Sequence, residues 1–148
     1  MTAQRIDQNM AAAAVAALPP ADGLGDPEKK ALRTTYRRLG AMLHNAGLAA
    51  TYAFIAARSN AETGVLARAY QEAARGIRRR LSDVGLLSGD LEPRQVLEAL
   101  GEMDSVQYAR ASAEVAALTR WLSRLADATY QVTRAGAAAD EALPGQSR

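Results

Sequence analysis

An all-α single domain of five or six helices, closed by a long C-terminal helix, is predicted by three features of the sequence. Alanine dominates a composition that is 49% hydrophobic and 5% aromatic, and alanine is the strongest intrinsic helix former. Apolar residues recur at spacings of three and four, with glycine and proline punctuating the chain at helix-length intervals. Clusters of strand-favouring residues are absent. At 148 residues the chain is long enough for one core, burying roughly 70% of the surface it exposes when unfolded. We place the helical domain at residues 1–135 and expect residues 136–148, GAAADEALPGQSR, to be a disordered tail.

The first helix is predicted from Ala3 to Leu18. Its run MAAAAVAALPPA is too weakly hydrophobic, and too soon interrupted by proline, for a signal peptide. Pro19, Pro20, Gly23, Gly25 and Pro27 form a linker, with Asp26 as the expected N-cap and Pro27 at the first helical position. The second helix runs from Pro27 to His44. Leu32, Tyr36, Leu39 and Leu43 make its apolar face, and at about 100° per residue Lys30, Arg33, Arg37 and His44 fall on the other side.

Asn45 and Gly47 end that helix. The third, Leu48 to Arg58, carries no charge until its last residue and belongs inside a bundle or against a partner. Glu62 to Val84 forms the fourth, with Ala69, Tyr70, Ala73, Ile77, Leu81 and Val84 on one side and Arg68, Arg75, Arg78 and Arg79 opposite; Gly85 stops it. The loop LLSGDLEP leads to a short helix from Pro93 to Met103. The last helix is predicted from Ser105 to Arg134. Its Tyr108, Ala111, Val115, Leu118, Leu122, Leu125, Thr129 and Val132 form a heptad-like seam bordered by Trp121, with Arg110, Arg120, Arg124 and Arg134 on the far side.

Several function classes drop out on composition. The chain has no cysteine, which removes disulfide frameworks, thiolate zinc sites and cysteine nucleophiles, and fits a reducing, cytoplasmic setting. No stretch reaches the roughly 18 consecutive apolar residues of a membrane span, so a soluble protein with no membrane partner is expected. Neither GxxxxGK[ST] nor GxGxxG occurs, and no cofactor is expected. Glu98, Glu102 and Asp104 are the nearest approach to a cation site, but lack further donors; we expect no metal. His44, the lone histidine, would need a second acid or base for RNA cleavage, with Arg37 as the cationic stabiliser. A helix-end contact with solvent, carbonyls or phosphate is the simpler role. No catalytic residue is assigned.

The formal net charge of +2 hides a division. Between Lys29 and Arg80 stand eleven lysines and arginines against two acids, and the rest of the chain is acidic. Guanidinium groups bind phosphate bidentately and stack on bases. The RNA-binding candidates are therefore Arg33, Arg37, Arg38, His44, Arg68, Arg75, Arg78, Arg79 and Arg80, with Arg110, Arg120, Arg124 and Arg134 as an additional basic face. With one Phe and one Trp, both expected to pack inside, no stacking platform is available, so contact should be directed at the backbone and weakly sequence-specific.

Two blocks carry a family resemblance. YRRLGAMLHNAGLAATYAFIAARS, with Tyr-x-x-Leu, Asn-x-Gly-Leu and Ala-Phe, and DSVQYARASAEVAALTRWLSRLADAT, in which Tyr108-x-Arg110-Ala111 leads to Leu118-x-x-Trp121-Leu122, resemble the small subunit of the type III-B CRISPR Cmr effector complex. The opening AQRIDQNMAAAAV is similar to that family's first helix, and the likeness spans the chain to Ala135. The type III-A small subunit is the nearest confusable family, and the Trp-Leu block favours the Cmr side. The resemblance implies an all-α, non-nuclease subunit that stacks with neighbouring copies of itself beside the backbone subunits, along CRISPR RNA and target RNA. It also implies that RNA cleavage belongs to the backbone subunits, and the cyclic oligoadenylate and DNA activities to the large subunit. A stand-alone helical oligomerisation module with an acidic protein partner is the alternative, and a small ribonuclease using His44 a third.

Overall fold

The structure, a computed structural model, describes residues 3–132, with side chains from residue 8 onward. Within them lie six α-helices and no strand: α1 Ala3–Ala16, α2 Asp26–Ala46, α3 Leu48–Ala61, α4 Gly64–Asp83, α5 Pro93–Glu102 and α6 Ser105–Thr129. The proposed tail and Arg134 fall outside the described residues.

Helix ends follow local chemistry, and some depart from expectation. Gly25, not Asp26, is the N-cap of α2, because the Gly25 N–H donates to the Glu28 carboxylate at 3.2 Å and draws the helix start back by one residue. Asn45 stays helical, and the break between α2 and α3 is Gly47 alone. Its φ of 90° and ψ of 171° form a conformation open to glycine and costly for any residue with a Cβ. Having no side chain, Gly47 cannot cap α3. The Ala49 N–H instead donates to the Tyr108 hydroxyl of α6 at 3.0 Å.

At the end of α4, Gly85 has φ 79°. Its N–H donates to the Ser82 carbonyl and that of Leu86 to the Leu81 carbonyl, the paired bonds of a Schellman C-cap. Asp104 begins α6 by accepting from the Gln107 N–H at 2.8 Å, while the Asp104 N–H donates to the Gln107 side chain at 3.1 Å.

The main packing pairs are α3 with α4 and α2 with α6, and α1 also lies along α6. Helices α2 and α6 run antiparallel, since Arg33 meets Asp127, Gly40 lies near Thr119, and Gly47 lies near Tyr108. As expected, α2 buries Leu32, Tyr36, Leu39 and Leu43, and α4 buries Ala69, Tyr70, Ala73, Ile77 and Leu81.

The seam of α6 differs from the predicted one. Its buried residues are Ala111, Val115, Leu118, Thr119, Leu122 and Ala126, joined by Tyr130 just past the helix end, whereas Leu125 is half-buried and Thr129 exposed. Heptad spacing holds to Leu122; beyond it the buried row steps by four, following the straight helix and not a coiled-coil stripe. The helix then ends at Thr129, where the following residue folds back into the core. Tyr130 is fully buried, stacks on Tyr36 with centroids 6.4 Å apart and planes 13° from parallel, and donates its hydroxyl hydrogen to the Pro19 carbonyl. That bond ties the linker after α1 to the end of α6.

Candidate nucleic-acid interface

The apolar face of α4 fixes the helix, and with it the direction of its arginines. Arg75, Arg78 and Arg79 line an open depression of about 440 Å³ together with Ser82, Asp83 and the Gly89–Asp90 turn. A second groove of about 680 Å³, between α1, α4 and α6, shares Arg75, Arg79 and Asp83 with it and adds Arg80 and Arg110. Five arginines thus surround two adjoining depressions. Arg110 belongs to this group by position, whereas helical periodicity alone groups it with Arg120 and Arg124.

These guanidinium groups are not equally available. Arg80 donates through Nε to Glu114 at 2.9 Å and its side chain is only 13% exposed, so it is a link between α4 and α6 more than a surface cation. Arg78 donates to the hydroxyl of buried Tyr52 at 3.0 Å, which anchors the guanidinium at the edge of the depression without neutralising it. Arg75 is exposed and meets Glu72 at 3.4 Å, one turn back on the same helix. Arg110 donates to the Val84 carbonyl at 3.3 Å. Arg79 is exposed and has no hydrogen-bond or ion-pair partner among the described residues.

The other candidates are dispersed. Arg33 and Arg37 both donate to Oδ1 of Asp127, at 3.2 and 3.1 Å, which joins α2 to α6 and leaves one carboxylate facing two guanidinium groups. Arg38 is exposed on another flank of α2. Arg68 lies seven residues before Arg75 on α4, roughly 10 Å along the axis, and its charge acts on Tyr130. His44 and Arg120 line a third groove of about 490 Å³ between α2 and α6, among Gly40, Gly47, Ala113 and Ala116. Arg124 is exposed on α6.

Arg33 and Arg37 of α2 and Arg80 of α4, named from the sequence as RNA-binding candidates, are thus each paired with a carboxylate on α6. Asp127 and Glu114, which hold them, lie 90 and 34 residues away from Arg37 and Arg80. Helical arithmetic within one element carries no information about such pairs.

The remaining chemistry is sparse. No acid or second base lines the groove beside His44, and Arg37, its suggested stabiliser, is held on Asp127. Glu98 pairs with Arg94 at 3.1 Å and Asp104 caps α6. No group of three or more metal-ligating side chains occurs among the described residues. Burial pushes the Tyr36 phenol well above its ordinary range, and burial pushes Tyr130 up to about 12 against the opposing charge of Arg68. Both rings are fully buried. No helix is long and apolar enough to cross a membrane among the described residues.

Trp121 is half-buried, and Phe54 packs edge-on against Tyr70 at 6.0 Å, with Arg58 over the Phe54 ring at 5.2 Å. No row of exposed aromatic rings accompanies the arginines among the described residues.

No curated protein and no solved structure matches the chain. The profile of the CRISPR-associated protein family Cas_Cmr5, by contrast, matches residues 6–129, which takes in α2 to α6 in full together with most of α1. The chain, a six-helix bundle matched over that span, belongs to the Cas_Cmr5 family of CRISPR-associated proteins, the small subunits of type III-B Cmr complexes.

Proposed function

We propose that this protein is a non-catalytic structural subunit of a Cmr ribonucleoprotein. In this reading it stacks beside the backbone subunits and neighbouring copies of itself, and steadies guide or target RNA with the arginines of α4 and Arg110. The observation that carries the RNA assignment is the convergence of Arg75, Arg78, Arg79 and Arg110 on two adjoining depressions, with Arg79 unpaired among the described residues. Guanidinium groups in such an array match successive phosphates of a backbone. Arg33, Arg37, Arg38, His44, Arg68, Arg120 and Arg124 make a secondary, more diffuse basic surface, in which Arg33 and Arg37 reach phosphate only by exchanging Asp127 for it.

The test is charge reversal at Arg75 and Arg79, the two exposed arginines common to both depressions. R75E/R79E in the reconstituted complex should reduce RNA retention while leaving helicity and subunit incorporation intact. Retention equal to wild type would remove α4 from the RNA path. Nuclease-resistant capture of an acidic protein, with no other Cmr subunit present, would instead support a stand-alone oligomerisation module.

A further inference from the structure

The depression at the C-terminal end of α4 is lined by cations and anions that do not neutralise one another. Arg75, Arg78, Arg79, Ser82 and Asp83 line it from α4, and Asp90 lines it from the loop that follows. Neither aspartate has a hydrogen-bond or ion-pair partner among the described residues. Arg79 and Asp83 are four residues apart on one helix, the spacing of a surface ion pair, yet no such pair forms between them. Arginine preceding acid is also the weaker order for such pairs. Asp83 is the last residue of α4, where the helix dipole disfavours a negative charge. Fold stability accounts for neither carboxylate.

A ligand carrying an anion and hydroxyl groups together would satisfy both the arginines and the carboxylates. The volume of about 440 Å³ lies within the range of small-molecule sites, roughly 300–1,000 Å³. Arg78 is held in place by Tyr52, so part of the anion-binding wall is already oriented. The depression adjoins the second groove, with which it shares Arg75, Arg79 and Asp83, and the arginine lining continues there to Arg110.

We propose that this depression receives one ribose–phosphate unit of an RNA strand, with the phosphate on Arg75, Arg78 and Arg79 and the 2′-hydroxyl donating to Asp83 or Asp90. The assignment rests on the RNA-contact reading above and adds to it a means of telling RNA from DNA. A carboxylate is an acceptor only, and the 2′-hydroxyl is the donor that DNA lacks.

The test uses the full chain and two labelled strands that differ only at the 2′ position, a short oligo(A) and its oligo(dA) counterpart, with affinities read by fluorescence anisotropy at fixed salt. Wild type should prefer RNA by about three- to ten-fold, the range of one hydrogen bond. D83A/D90A should bring that ratio close to one without weakening DNA binding, because the same repulsive charges are removed for both strands. R75E/R79E should weaken both strands together. No preference in the wild type, or a preference that survives D83A/D90A with helicity unchanged by circular dichroism, overturns the assignment. Equal affinities of R75E/R79E and wild type for both strands would overturn the RNA-contact reading itself, a separable outcome.

Discussion

Arg33 of α2 donates through Nε to Oδ1 of Asp127 on α6 at 3.2 Å, and Arg37 reaches the same oxygen at 3.1 Å. One carboxylate thus bridges two helices and screens two cations. All three side chains are partly solvated, so the pairs contribute little stability, about 0–1 kcal/mol each.

Asp127→Asn should therefore release two guanidinium groups at small structural cost. The expected outcome is a melting temperature within about 6 °C of wild type and tighter RNA binding. The dependence of log affinity on log salt should steepen by about one for each further phosphate that the released arginines neutralise. Unchanged affinity and salt slope would place α2 away from RNA.

Arg80 and Glu114 form the opposite kind of pair. At 2.9 Å, with side chains 13% and 23% exposed, the pair is largely desolvated, and removing one member leaves a charge without its partner. Glu114→Ala should cost about 1–3 kcal/mol, a drop of roughly 2–9 °C in Tm for a chain of this size. Restoring stability in R80M/E114A would show that the cost lies in the orphaned charge.

Tyr130 links pH to stability. Its phenol is raised from 10.0 to about 12, so the folded state keeps the proton over a range in which the unfolded state releases it. Stability should be fully present below pH 10 and fall as pH rises through 10 towards 12. Tyr36, also raised by burial, acts in the same direction. Tyr130→Phe should flatten part of this alkaline decline in chemical denaturation series. At neutral pH it should cost about 1–2 kcal/mol by leaving the Pro19 carbonyl unpaired.

Gly47→Ala tests the break between α2 and α3. With φ at 90° a Cβ is strained, and the expected loss is about 1–3 kcal/mol. A Cβ there meets only the Tyr108 hydroxyl, at 3.9 Å, so the loss is one of backbone conformation and not of space. Gly40→Ala, where a Cβ meets only Thr119 at 3.9 Å and φ is ordinary, should be neutral or stabilising.

Much of this fold is legible in the sequence because its determinants are local. Leu32, Tyr36, Leu39 and Leu43 recur on one face, and Pro93, Gly47 and Gly85 end or start helices by their own backbone chemistry. The end of α6 is not legible, since nothing near Tyr130 in sequence tells that its ring has a stacking partner in Tyr36 and its hydroxyl an acceptor in Pro19. The same limit applies to the arginines. Periodicity places Arg75 and Arg79 on one face of α4, and the structure gathers them with Arg78 around one depression. The partners of Arg33, Arg37 and Arg80 come from α6, brought close only by tertiary packing.

The most direct test of the central claim is ultraviolet crosslinking of the assembled ribonucleoprotein, with mass spectrometry of the RNA-linked peptides from this subunit. Crosslinks concentrated on Arg75 to Asp90, with a second group around Arg110, are the expected result. Crosslinks confined to the α2 surface around Arg38 and His44, or none on this subunit, would contradict it.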